Sequence, residues 1–175
     1  MAIGAALPAA LFGMSLSGAL AAPDLANVAP CEKAIIGHGS ADWRRTSLVA
    51  GPVGVRRHPL SAMTRTGAGL VAKMPLLVEG RAPSTVTVSV PPRLRQRVFL
   101  LYGRAEDRDG NPSTSFRNTR GYSETEFQPC DDKPRTSWPG AIRVRGARPV
   151  FLLVAVEGRP EPIPIFLGRP KAFGG

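Results

Sequence analysis

Thr85-Val86-Thr87-Val88-Ser89-Val90 alternates strictly between apolar and hydroxyl side chains. In an extended chain successive side chains point to opposite faces, so Val86, Val88 and Val90 share one face, the signature of a half-buried strand. Pro91-Pro92 stops it, because proline brings no N–H to a ladder. Upstream, Leu76-Leu77-Val78 is separated from this strand by Glu79-Gly80-Arg81-Ala82-Pro83, a connection of hairpin length built from turn residues. Downstream, Arg93 to Tyr102 reads as extended. It ends in Val98-Phe99-Leu100-Leu101-Tyr102, which is apolar on both faces and so needs cover on both.

Further segments repeat the pattern. Thr46 to Val55 is broken by Gly51-Pro52 into two short strands, and Gly121 to Phe127, Ala141 to Arg145 and Pro149 to Glu157 each read as extended. In the last, Val150, Leu152, Val154 and Val156 lie on one face and Phe151, Leu153 and Ala155 on the other, as in a central strand. Ile163, Ile165 and Leu167 alternate with Pro162 and Pro164, which confines that segment to a sheet edge. Gly, Pro or Val interrupts every window long enough for an amphipathic helix. Seven to nine strands without helices predict an all-β fold, an antiparallel β-sandwich, Ig-like or jelly-roll-like. Arg56 to Gly69 and Arg104 to Arg120 show no period, and the second is long for a loop in a compact domain, so it is either mobile or functional.

The 175 residues, 43% of them apolar, suffice for one packed domain. Met1 to Ala22 carries no charge and runs through an apolar stretch into Ala19-Leu20-Ala21, a pattern suited to signal peptidase with cleavage after Ala21. Its first residues lack the usual Lys or Arg, and the alternative is an uncleaved anchor. The organisation expected is a signal peptide over 1–21, an extension over 22–42, a β-sandwich over 43–168 and a tail over 169–175. Cys31 and Cys130 are the only cysteines. With export they read as one disulfide closing a loop of about 100 residues, worth roughly 4–5 kcal/mol in the chain-entropy account.

The chemistry-bearing residues are few and scattered. Arg93, Arg95 and Arg97 fall at i, i+2 and i+4, so on a strand they form a cationic row; Arg143 and Arg145 repeat the spacing, with Arg148 following. If the two strands are neighbours, five guanidinium groups share one sheet face and can bind phosphate oxygens bidentately. The competing reading is a solvated face paired with Glu124 and Glu126. Those two carboxylates alternate on a strand at about 6.5–7 Å, wider than the 5–5.5 Å of a retaining glycosidase. Asp107-Arg108-Asp109-Gly110-Asn111 has alternating oxygen ligands but lacks the glycine and the bidentate glutamate of a calcium loop. His38 and His58 are the only histidines; His38 precedes Gly39-Ser40, yet nothing in the local sequence orients a base against that hydroxyl. The two histidines could ligate a metal together with Asp42, but no spacing demands one. Trp138, in Ser137-Trp138-Pro139-Gly140, reads as packed near the disulfide, with an exposed sugar-stacking platform as the alternative for it or Trp43.

Pro75-Leu76-Leu77-Val78, the Thr85 to Val90 strand, Leu101-Tyr102-Gly103, Phe127-Gln128-Pro129-Cys130 and Ser137-Trp138-Pro139-Gly140 together resemble a group of uncharacterised exported proteins of high-GC Gram-positive bacteria. The resemblance runs from about Trp43 to Leu167. It implies an exported β-rich domain and carries no activity and no functional residue.

A formal net charge of +10 points to an anionic partner. Export argues against nucleic acid, and no aromatic interleaves with the arginine row to stack bases. The expectation is therefore a non-catalytic module without a cofactor or metal, secreted and associated with the cell envelope, whose Arg93, Arg95, Arg97, Arg143 and Arg145 contact anionic polymer or lipid headgroups. Two other classes stay open: a small secreted hydrolase using His38 or His58, and a protein-recognition domain using the 104–120 loop.

Overall fold

A computed structural model describes residues 26–35, 42–79, 85–102 and 121–170. These carry thirteen strands and one four-residue helix, α1 (Trp43–Thr46). The first sheet has the order β1 (Ala26–Ala29), β9 (Glu124–Phe127), β7 (Val86–Ser89), β12 (Val150–Val156), β13 (Ile163–Gly168). The second runs β10 (Arg135–Trp138), β6 (Leu76–Glu79), β3 (Val53–Arg56), β2 (Ser47–Ala50). The third runs β4 (Thr64–Thr66), β5 (Gly69–Lys73), β11 (Gly140–Val144), β8 (Val98–Tyr102). All pairs are antiparallel except β1 with β9, which is parallel.

The mostly antiparallel β character follows the alternation in the sequence. Val86 and Val88 are buried as expected, β12 has neighbours on both sides, and the proline-bearing β13 lies at an edge. Leu100 and Leu101 are both buried, so β8 is covered on both faces. The division into sheets differs from the expectation. Thirteen strands form three sheets where seven to nine strands in two layers were expected, because short segments without strict alternation, such as Thr64–Thr66 and Arg135–Trp138, find partners only in three dimensions. Leu76–Glu79 and Val86–Ser89 are not a hairpin: β6 pairs with β3 and β10, while β7 pairs with β9 and β12. Both strands are apolar on one face, and each lies in a different sheet over the same core.

That core joins all three sheets. Leu152, Val88 and Phe127 come from the first, Leu76, Val55 and Trp138 from the second, and Ile142, Leu100 and Tyr102 from the third. Aromatic edges organise its centre: the Phe127 ring stands 5.1 Å from both Tyr102 and Trp138 in edge-on geometry. Trp138 is 1% exposed and donates Nε1–H to the Pro30 carbonyl at 3.0 Å, which rules out the sugar-platform reading for it. Trp43 is buried as well, against Gly54, where a Cβ would fall 2.3 Å from its ring.

Cys31 and Cys130 form the disulfide, with Cα atoms 5.1 Å apart across 99 residues. The bond sits just beyond β1 and β9. Cys130 N–H also donates to Thr136 Oγ1 at 2.9 Å, so the bridge is fastened to β10. β1 falls within the stretch read as an N-terminal extension, and it is a strand of the first sheet.

Candidate anion-binding face

The arginine row predicted over Arg93–Arg97 does not form. Pro91-Pro92 initiates a 3-10 turn over Pro92–Leu94, and the strand β8 begins only at Val98. Fixed φ at proline suits the first position of such a turn better than a continuing ladder. The three side chains therefore part company. Arg93 stacks 4.9 Å from the Phe151 ring on the first sheet, Arg95 Nε donates to the Val90 carbonyl at 3.3 Å, and Arg97 enters the β8–β11 ladder.

The other half of the expectation is partly met. β11 does pair with β8, and Arg145 N–H donates to the Arg97 carbonyl at 2.7 Å, one rung past the Val144–Val98 pair. Alternation places Arg97, Phe99, Arg143 and Arg145 on one face of the third sheet. Arg143 and Arg145 flank the Phe99 ring at 5.1 and 5.2 Å. They differ in access: Arg143 is 6% exposed, whereas Arg145 is exposed. Gly121 lies over the same spot, where a Cβ would fall 2.3 Å from that of Phe99 and 3.2 Å from an Arg143 Nη. Burial, and then the positive charge of Arg145, disfavour the ionised form of Arg143. Arg143 is thus a packed guanidinium beneath the face, and five groups on one open surface are not what forms.

What this face presents instead comes from β4, inside the Arg56 to Gly69 stretch that shows no period, and from β5, which begins where that stretch ends. Their register pairs Thr64 with Val71 and Thr66 with Gly69, so Thr64, Thr66, Val71 and Lys73 share the side that carries Arg143 and Arg145. Two clefts lie at this hairpin, and Thr66 lines both. One, of about 240 Å³, lies between the hairpin and a turn at His58–Ser61; its polar lining is Arg56, His58, Ser61, Thr64, Thr66 and Lys73. The other, of about 520 Å³ and more open, lies between the hairpin turn and the end of β11, with Arg65 and Arg145 on its walls. Arg145 Nε donates to the Ala68 carbonyl at 3.2 Å, which ties its guanidinium to that turn. No carboxylate lines either cleft among the described residues. The sequence signal for these residues is faint: Thr64-Arg65-Thr66 and Val71-Ala72-Lys73 flank Gly67-Ala68-Gly69, a glycine-bounded turn.

Glu124 and Glu126 project from the other face-to-solvent surface, on the first sheet beside Thr87 and Ser89. That separates them from Arg97 and Arg145, which belong to the third. Glu126 accepts a hydrogen bond from Gln128 Nε2 at 2.9 Å. His38, the 1–21 segment, the Asp107 to Asn111 run and the 104–120 loop lie outside the described residues. Among the described residues no group of three or more His, Cys, Asp or Glu side chains could hold a metal, and no helix is long and apolar enough to cross a membrane.

The fold and face define a disulfide-closed, mostly antiparallel β protein with a cationic, hydroxyl-rich surface. Compared with protein families, with curated proteins and with solved structures, the chain matches none.

Proposed function

We propose that the protein is an exported, non-catalytic β module, associated with the cell envelope, that binds anionic polymer or lipid headgroups through the surface around the β4–β5 hairpin. The observation that carries this reading is the pair of adjoining clefts at the β4–β5 hairpin, lined by Arg56, His58, Lys73, Arg65 and Arg145 and by no carboxylate among the described residues. Cations supplied from four separate elements around one hairpin make a track, and a track suits a ligand with repeated negative charge. The disulfide is in keeping with an oxidising compartment.

Co-sedimentation with cell-wall and anionic-lipid fractions across a salt series tests this reading. Binding is expected to weaken as salt rises, and to weaken further in Arg65→Gln/Arg145→Gln than in Arg93→Gln/Arg95→Gln, which removes equal charge elsewhere. Equal loss in both double variants would reduce the effect to net charge and sink the assignment to this face.

A further inference from the structure

His58 stands at φ 52° and ψ 49°, the left-handed region, and it is the one non-glycine residue with positive φ among the described residues. Pro59 follows it, and a proline ring disfavours the right-handed helical region for the residue before it. The conformation is held from several sides. Ser61 N–H and Ser61 Oγ both donate to the His58 carbonyl, at 3.0 and 2.7 Å, while Pro59 and Leu60 are buried. A strained residue that its surroundings fix in place is a feature of pre-organised sites.

The donors around the smaller cleft divide into two kinds. The Ser61 hydroxyl is committed to the His58 carbonyl and the Thr66 hydroxyl to the Gly69 carbonyl, so these two fasten the walls. Arg56 at the end of β3, Lys73 at the end of β5, the His58 imidazole and the Thr64 hydroxyl line the space between. That set offers charged and neutral N–H and O–H donors and no carboxylate, which matches a tetrahedral oxyanion. The volume of about 240 Å³ leaves room for the carbons that such a group esterifies.

We propose that this cleft is a preformed site for the phosphate group of a phosphate ester, with Arg56 and Lys73 closing on its oxygens from opposite walls and the His58 turn fixing the geometry. The proposal rests on the anion-binding reading and names its ligand chemistry. The probe is glycerol 3-phosphate, titrated into the isotopically labelled protein at constant ionic strength and followed by amide chemical shifts. Saturable shifts are expected over residues 56–73, centred on Thr64 and Lys73. Lys73→Gln and Arg56→Gln should each weaken binding roughly tenfold, as loss of a charge-assisted hydrogen bond does, while Arg93→Gln, over Phe151 on the first sheet, leaves it unchanged. His58→Gly, which suits the left-handed backbone and deletes the imidazole, should keep the fold and weaken binding. Shifts that sodium chloride reproduces, or that persist unchanged in Lys73→Gln, would overturn the site. The same variants in the co-sedimentation assay separate the two readings: polymer binding with a flat titration overturns the phosphate site alone, and a saturable titration without polymer binding overturns the wider function alone.

Discussion

Tyr102 shows how much a single side chain holds. Its hydroxyl donates to the Met74 carbonyl, its ring packs edge-on against Phe127, and its own carbonyl accepts Asn27 Nδ2–H at 2.9 Å. Burial pushes the phenol above its ordinary value of 10.0. A folded phenol that grips its proton more tightly than the unfolded one stabilises fully below about pH 10, and that contribution declines as pH rises further. Denaturant unfolding at stepped alkaline pH should therefore show stability falling above pH 10, with Tyr102→Phe removing that slope at a cost of about 1–2 kcal/mol at neutral pH. Gly140 belongs to the same contact, since a Cβ there would stand 2.1 Å from the Tyr102 ring. Gly140→Ala should lower stability by about 2–3 kcal/mol, read from the urea midpoint. The burial of Val86, Val88 and Leu152 is legible in the sequence, because alternation states which side chains share a face. The burial of Arg143 is not, because alternation is silent on whether a face is then covered, as Phe99 and Gly121 cover this one.

Among the elements, β1 depends most on a single link. It is four residues long, lies at a sheet edge, and makes the one parallel pairing among the described strands, with β9. A ladder so short holds little by itself. The Cys31–Cys130 bond, two residues beyond its end, supplies the rest. Replacing both cysteines by serine should lower stability by about 4–5 kcal/mol, and hydrogen exchange should show the amides of 26–29 losing protection before those of β12. The pairing of the two cysteines is legible from their number together with the expected export. The strand beside them is not, since Ala26-Asn27-Val28-Ala29 has neither strong alternation nor β-branched weight. The Leu76 to Val90 stretch misleads for a related reason: a five-residue connection is also long enough to carry the chain from one sheet to another.

Across the whole molecule, charge is distributed by sheet. The first sheet's outward face mixes Glu124, Glu126, Thr87 and Ser89 with Arg93 over Phe151, whereas the third turns Lys73, Arg145 and Arg97 outward. The excess of +10 is legible in composition, but its placement depends on the turn at Pro91-Pro92, which breaks the row the spacing suggests, and on a hairpin that shows no period. A molecule polarised in this way should lie on an anionic surface in one orientation. Fluorophores placed in turn at Ser89 and Gly67 on a lipid-coated support should differ, with the second quenched by the surface and the first open to solvent; equal quenching would mean no preferred orientation. The bridge across 99 residues also bears on the order of assembly. Synthesis delivers β1 and Cys31 long before β9 and Cys130 exist, so the earliest part of the described chain is among the last to settle. Until then its thiol is available to wrong partners outside the molecule, and an oxidant that acts too soon traps chains in pairs.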